Sequence, residues 1–199
     1  MKKVAIILVS ILSIVSVEAQ NISQRARSLR MESYAKDEYQ VKDIKIFDDT
    51  MIVICRSEYV HYPLGKYNSV DAYVNRSRMD WYREMSYRNF FNDSLRVPVT
   101  RVHRLDGSFI DTYSSMNTGK MEIIGGHITD SEILIRQKVR VGVKKTDVYS
   151  AFFRAVPRTY IADINVLRIE SAGGEFAQLF TFKRGVLVSI DFLTSYRYY

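Results

Sequence analysis

Three apolar-alternating runs near the C-terminus, Ile164–Ser171, Glu175–Lys183 and Val186–Tyr196, are separated only by Ala172-Gly173-Gly174 and Arg184-Gly185. Glycine turns this short leave no room for a crossover, so the three runs must lie side by side as an antiparallel meander. Just upstream, Val141-Gly142-Val143 forms a glycine turn into a short helix from Lys145 to about Arg154. Its apolar face is Val148, Phe152 and Ala155, supported by Ala151, and Pro157 stops it. Laid on the meander, that helix buries its apolar stripe against one sheet face. The expected fold class is therefore α+β: an antiparallel sheet covered on one face by short helices.

The rest of the chain carries similar signals. Residues 20–40 are polar and read as a linker or loose helix. Val41–Phe47 and Met51–Arg56 are strands joined through Asp48-Asp49 into a hairpin. Asn68 or Ser69 can cap a helix whose residues Val70, Tyr73, Val74, Trp81 and Met85 keep helical spacing. Arg76, Arg78, Arg83 and Arg88 lie among Tyr82, Tyr87, Phe90 and Phe91. This mixture reads as an amphipathic helix over the sheet rather than a ligand-stacking platform. Val97–Arg104 and Ser108–Ser114 flank Leu105-Asp106-Gly107, where Asp-Gly signals a hairpin. Lys120–Thr129 and Glu132–Val139 are the next expected strands, with Gly125-Gly126 marking a bulge or bend in the first.

The unit of glycine turn, short helix and meander resembles small exported domains of the β-lactamase-inhibitor-protein-like type and of the small outer-membrane lipoprotein A group. The likeness rests on Gly142-Val143 with Thr146-Asp147-Val148, on Leu167-Arg168-Ile169, on Phe180-Thr181-Phe182, and on Gly185-Val186-Leu187-Val188-Ser189-Ile190. Lys144 departs from the hydroxyl cap usual in that group. The resemblance covers about a third of the chain. It implies adhesion, inhibition or scaffolding through a sheet surface, and it transfers no catalytic residues. Leu64-Gly65-Lys66 leading to Ser69-Val70 echoes Val141-Gly142-Val143 leading to Asp147-Val148, so a duplicated helix-plus-meander unit is one reading. Residues 41–199 are then a single α+β domain, or two subunits at 41–140 and 141–199.

Met1-Lys2-Lys3, an apolar run from Val4 to Val17 and Val17-Glu18-Ala19 read as a secretory signal peptide over residues 1–19. That predicts a periplasmic or extracellular protein with no transmembrane span after cleavage. Taking out Lys2, Lys3 and Glu18 lowers the net charge from +7 to +6, with basic and acidic residues interspersed. A nucleic-acid partner is not expected, because export removes the opportunity and no recognition motif is present. A lone cysteine, Cys55, forms no internal disulfide and lies in the apolar run Met51–Cys55, which reads as a buried strand.

No catalytic constellation emerges. His61, His103 and His127 fall at no metal-ligand spacing, and no cofactor is expected. His103-Arg104-Leu105-Asp106 has the wrong order for a kinase catalytic loop. A Cys55–His61 nucleophile–base pair lacks any signature, and Asp48-Asp49 suits a solvated turn. Strand alternation offers a surface instead. Leu167, Ile169, Phe180, Phe182, Val188 and Ile190 should face the helix, while Arg168, Glu170, Thr181, Lys183, Ser189 and Asp191 should share the opposite face. The expected function is an exported, non-catalytic binding or scaffolding module for an envelope protein or glycan. The competing readings are a small outer-membrane β-barrel and an envelope enzyme whose pocket gathers a histidine with a carboxylate.

Overall fold

The computed structural model describes residues 23–89, 96–115, 118–135 and 138–195. The expected signal peptide, Phe90, Phe91 and Tyr199 lie outside them. The nine strands are β1 (Val41–Phe47), β2 (Thr50–Cys55), β3 (Tyr82–Asn89), β4 (Arg96–His103), β5 (Phe109–Ser114), β6 (Met121–Ile128), β7 (Val166–Ser171), β8 (Phe176–Lys183) and β9 (Val186–Thr194). They form one sheet in the order β1-β2-β7-β8-β9-β6-β5-β4-β3. Every neighbouring pair is antiparallel except β2–β7, which is parallel. β1 and β3 are the two edges, so the sheet is open and does not close into a barrel.

The helical segments are α1 (residues 23–34), α2 (Val70–Ser77), α3 (Lys145–Phe152) and the short α4 (Arg158–Ile161). The polar segment read as a linker or loose helix is thus helical over residues 23–34. Met31 on α1 is fully buried, and the chain after it clips to the end of α3 through Lys36 N–H to the Phe152 carbonyl and Arg154 N–H to the Tyr34 carbonyl. α2 begins as expected, with the Ser69 hydroxyl accepting from the Ala72 amide at 3.2 Å. It ends eight residues later, where Arg78 turns left-handed at φ 55°. Trp81 and Met85 are therefore not on that helix, and residues 82–89 form edge strand β3 instead. An edge strand has little to bury, so its sequence shows no apolar alternation to betray it.

α3 lacks a side-chain cap at Lys144. The Lys145 amide instead donates to the Gly185 carbonyl in the β8–β9 turn, fixing the helix start to the sheet. Lys145 Nζ donates to the carbonyls of Ile161, Ala162 and Ile164 at 2.9, 3.0 and 2.7 Å, which ties α3 to the end of α4. Val148, Tyr149 and Phe152 face the core, and Ala155 lies beyond the helix, exposed.

The core lies between the helices and one sheet face. A single row crosses that face: Ile44, Val53, Ile169, Gln178, Phe192, Gly126, Ile110 and Val102 are successive cross-strand partners on eight strands. The seven with side chains are each at most 2% exposed. Burial of each large apolar member contributes about 1.5–3 kcal/mol. Gln178 is the polar member, and its amide donates to the Val60 carbonyl at 2.8 Å, pinning the turn at Glu58–Val60 to the sheet.

Two expectations about strands need correction. The described residues of 132–139 (132–135, 138 and 139) are in no strand, although Ile133, Ile135 and Val139 are buried. Both edges of β6 are already taken by β5 and β9, so these residues cannot pair with the strand they follow. Instead, the Ile135 amide donates to the Val139 carbonyl, and Lys138 is left-handed at φ 61°. On β9, the register shift opposite Thr181/Phe182 inserts one residue, so Leu187 enters the core in place of Val188, which is 37% exposed.

Candidate functional site

The six residues expected on one face are there. Arg168 and Glu170 on β7, Thr181 and Lys183 on β8, and Ser189 and Asp191 on β9 all point away from the buried face, and none is buried. Pairing brings them together: Thr181 is opposite Ser189, while Arg168 and Asp191 flank Leu179 from either side. Arg168 Nε lies 2.8 Å from Glu170 Oε2, out of line for a hydrogen bond, so this contact is ionic only.

The same face runs far beyond the C-terminal meander. Lys45, Ile52, Arg168, Leu179, Asp191, His127, Phe109, His103 and Tyr82 are successive partners across all nine strands. Each is half-buried or exposed, in contrast to the core row one residue away. At the centre, His127 Nδ1 donates to Asp191 Oδ1 at 2.6 Å, and the Ser189 hydroxyl donates to Asp191 Oδ2 at 3.3 Å. These bonds orient the imidazole through Nδ1. Beside it, the Arg101 guanidinium lies 4.2 Å from the centre of the Phe109 ring. Asp111 grips Arg101 through two hydrogen bonds of 2.7 and 2.8 Å and also reaches Arg88 at 3.4 Å. The Asp111 hydrogen bond raises the Arg101 pKa above its ordinary value. At the β3 edge, Tyr82 and His103 stack with ring centres 5.6 Å apart. Val99 and Ile124 form a small second core on this face, with Val97 and Tyr113 against it.

Each histidine has a carboxylate nearby: His127 with Asp191, His103 with Glu84 at 3.5 Å, and His61 with Glu175 at 4.0 Å. His61 and Glu175 also line a cavity of about 230 Å³ with Tyr62, Glu122, Ile123 and Phe176. The Cys55 thiol points into the core, 1% exposed, with its pKa pushed up to about 12 by burial. A thiol in that state is a poor nucleophile. Among the described residues, no group of three or more His, Cys, Asp or Glu is placed to hold a metal ion. Asp106 accepts from the Ser108 amide and hydroxyl, and Arg104 pairs with Asp130 and Glu132. The His103–Asp106 stretch is therefore hairpin structure.

Sequence reasoning missed the half of this face contributed by β1, β2 and β4–β6. Alternation within Val97–His103 and Phe109–Tyr113 carried the signal. The strand order, which joins those residues to the meander, did not show in it. No known protein family, curated protein or solved structure matches the chain.

Proposed function

We propose that this chain is an exported, non-catalytic binding or scaffolding module that docks an envelope protein or glycan on the open face of its sheet. The observation that carries this reading is the unburied row from Lys45 to Tyr82, which spans every strand while the opposite row is sealed under helices. A flat face bearing apolar Ile52, Leu179 and Phe109 between paired charges suits recognition by contact. Its charges are already held in place by neighbours, so docking would lose little side-chain entropy. Two left-handed glycine turns, Gly65 and Gly142, each precede an eight-residue helix, and this repetition supports kinship with helix-plus-meander modules. The buried Cys55 thiol supports the non-catalytic half of the reading.

The test is site-specific photocrosslinking in cells. A photoreactive residue at Leu179 or Thr181 should give a discrete adduct, or a glycan-shifted species. The same residue at Ser150 on α3 should give none. A Leu179→Glu variant with an unchanged melting temperature should lose the adduct formed from position 181. Equal labelling from Ser150 and Leu179 would refute the assignment of the face.

A further inference from the structure

The two edges of the sheet are built differently. β1 is irregular, with a register shift between Val41 and Asp43, and it carries Lys42, Asp43 and Lys45. Bulges, prolines and edge charges, lysine above all, are the devices that discourage edge-to-edge pairing. β3 has no bulge, and its charges, Arg83, Glu84 and Arg88, are of both signs: its eight residues pair with β4 without interruption, from Tyr82–His103 to Asn89–Arg96. It contains no proline or lysine, and it leaves Met85 and Tyr87 69% and 61% exposed. A long, regular edge bearing large apolar side chains is a template for another strand.

The β3 sequence also selects its partner. If two copies pair antiparallel about a two-fold axis normal to the sheet, facing residues must project to the same side. The register is then centred on a residue, never between two. Centring on Ser86 places Met85 opposite Tyr87 of the second copy, twice, on the helix-bearing side. It places Glu84 opposite Arg88 of the second copy, twice, on the open side. Centring on Met85 instead sets Arg83 against Tyr87 and Glu84 against Ser86, and loses both ion pairs. We infer that β3 is a self-pairing edge and that two copies join through it, centred on Ser86, into one eighteen-stranded sheet. Aromatic–apolar and opposite-charge cross-strand pairs are the contacts that stabilise such a ladder. The two-fold axis puts both open faces on the same side, so the dimer presents one continuous surface.

The experiment combines sedimentation with cysteine crosslinking. Native Cys55 is buried, so a cysteine introduced on β3 is the only accessible thiol. The purified chain should sediment as a dimer at micromolar concentration. Met85→Lys and Glu84→Arg, both exposed, should each weaken dimerisation at least tenfold while leaving the melting temperature of the dilute monomer unchanged. At the two-fold axis, paired Cα atoms lie about 4.5–5.5 Å apart, within the span of a disulfide. Mild oxidation of Ser86→Cys should therefore give a covalent dimer much faster than Ser150→Cys on α3. A chain that stays monomeric at 100 µM (on the order of strong-overload conditions for a specific dimer) would overturn the inference. So would a dimer indifferent to both edge variants, or faster crosslinking from Met85→Cys than from Ser86→Cys.

Discussion

Gly125 and Gly126 are adjacent on β6, yet alanine at the two positions should act in opposite directions. Gly126 belongs to the core row, between Ile110 on β5 and Phe192 on β9. A Cβ there would sit 2.9 Å from Phe192 Cδ2 and 3.0 Å from the Phe109 carbonyl oxygen. Phe192 is 1% exposed and packs against Phe176, so its ring has no free space to swing into. The Phe109 oxygen is backbone within the sheet. Overpacking of this kind costs about 1–3 kcal/mol. Gly125 faces the open side, where the nearest atom to a Cβ is Asp111 Oδ2 at 4.0 Å, and its φ is not in the left-handed region. Alanine there fits without strain and restricts the unfolded chain, for a gain of about 0.4–1 kcal/mol. In a chain of this size, 1 kcal/mol moves Tm by roughly 2–4 °C. Gly126→Ala should thus lower Tm by about 2–12 °C, and Gly125→Ala should raise it by about 1–4 °C. Urea unfolding with unchanged m-values is the check. Equal losses at both positions, or a larger loss at Gly125, would refute the assignment of these two residues to opposite faces.

Cys55 should resist a thiol reagent at pH 8, because burial both shields the sulfur and pushes its pKa up to about 12. Labelling should follow unfolding in denaturant, and rapid labelling of native protein would contradict its placement in the core. Partial burial of Asp106 opposes its ionisation, but hydrogen bonds from the Ser108 amide and hydroxyl and from Thr129, with the Arg104 charge, outweigh it and hold the carboxyl below 3.8. A depressed carboxylate stabilises the fold above its unfolded pKa and loses that contribution as pH falls through the folded value. Asp106→Asn should therefore be less stable than the parent at pH 7, and the gap should narrow as pH falls through the lowered folded value. A gap in Tm that does not change as the solution is acidified would argue against the titration.

The parts of the fold that were readable are those whose signals are local. The hairpins at Asp48-Asp49 and Asp106-Gly107, the Ser69 cap and the C-terminal meander each depend on residues within about ten positions. The open face of the meander followed from alternation alone, because Leu167, Ile169 and Phe180 must be buried and their neighbours then cannot be. What failed was non-local. Residues 132–139 alternate like a strand, with Ile133 and Ile135 buried and Leu134 exposed. Whether they pair depends on a free edge, and β5 and β9 leave β6 none. Val188 was misplaced because it is the extra residue of a bulge, which breaks the alternation between Leu187 and Ser189. Residues 82–89 were misread because an edge strand exposed on both sides carries no burial pattern. The His127–Asp191 bond joins residues 64 positions apart, and nothing near either one announces the other.

The β2–β7 junction explains why the site and the fold are not separable. It is the parallel joint of the sheet, and the Asp48-Asp49 turn builds it. The Asp49 carbonyl accepts from the amides of Asn165 and Val166 at 2.7 and 3.1 Å, and its carboxylate accepts from Asn165 Nδ2 at 3.1 Å. At the far end, the Ala172 amide donates to the Cys55 carbonyl at 2.7 Å. The turn that reads as solvated in sequence thus anchors the C-terminal meander to the N-terminal hairpin. On its other side, β9 pairs with β6, so β7–β9 fill the gap between β2 and β6. Lifting out residues 141–199 would expose the inner edges of both flanking pieces and cut both rows in the middle. The open row needs Arg168, Leu179 and Asp191 to connect Ile52 with His127, and the buried row needs Ile169, Gln178 and Phe192 to connect Val53 with Gly126. The proposed docking face therefore exists only when the core beneath it is complete, and on that proposal loss of core packing anywhere along the buried row should weaken docking as well as stability.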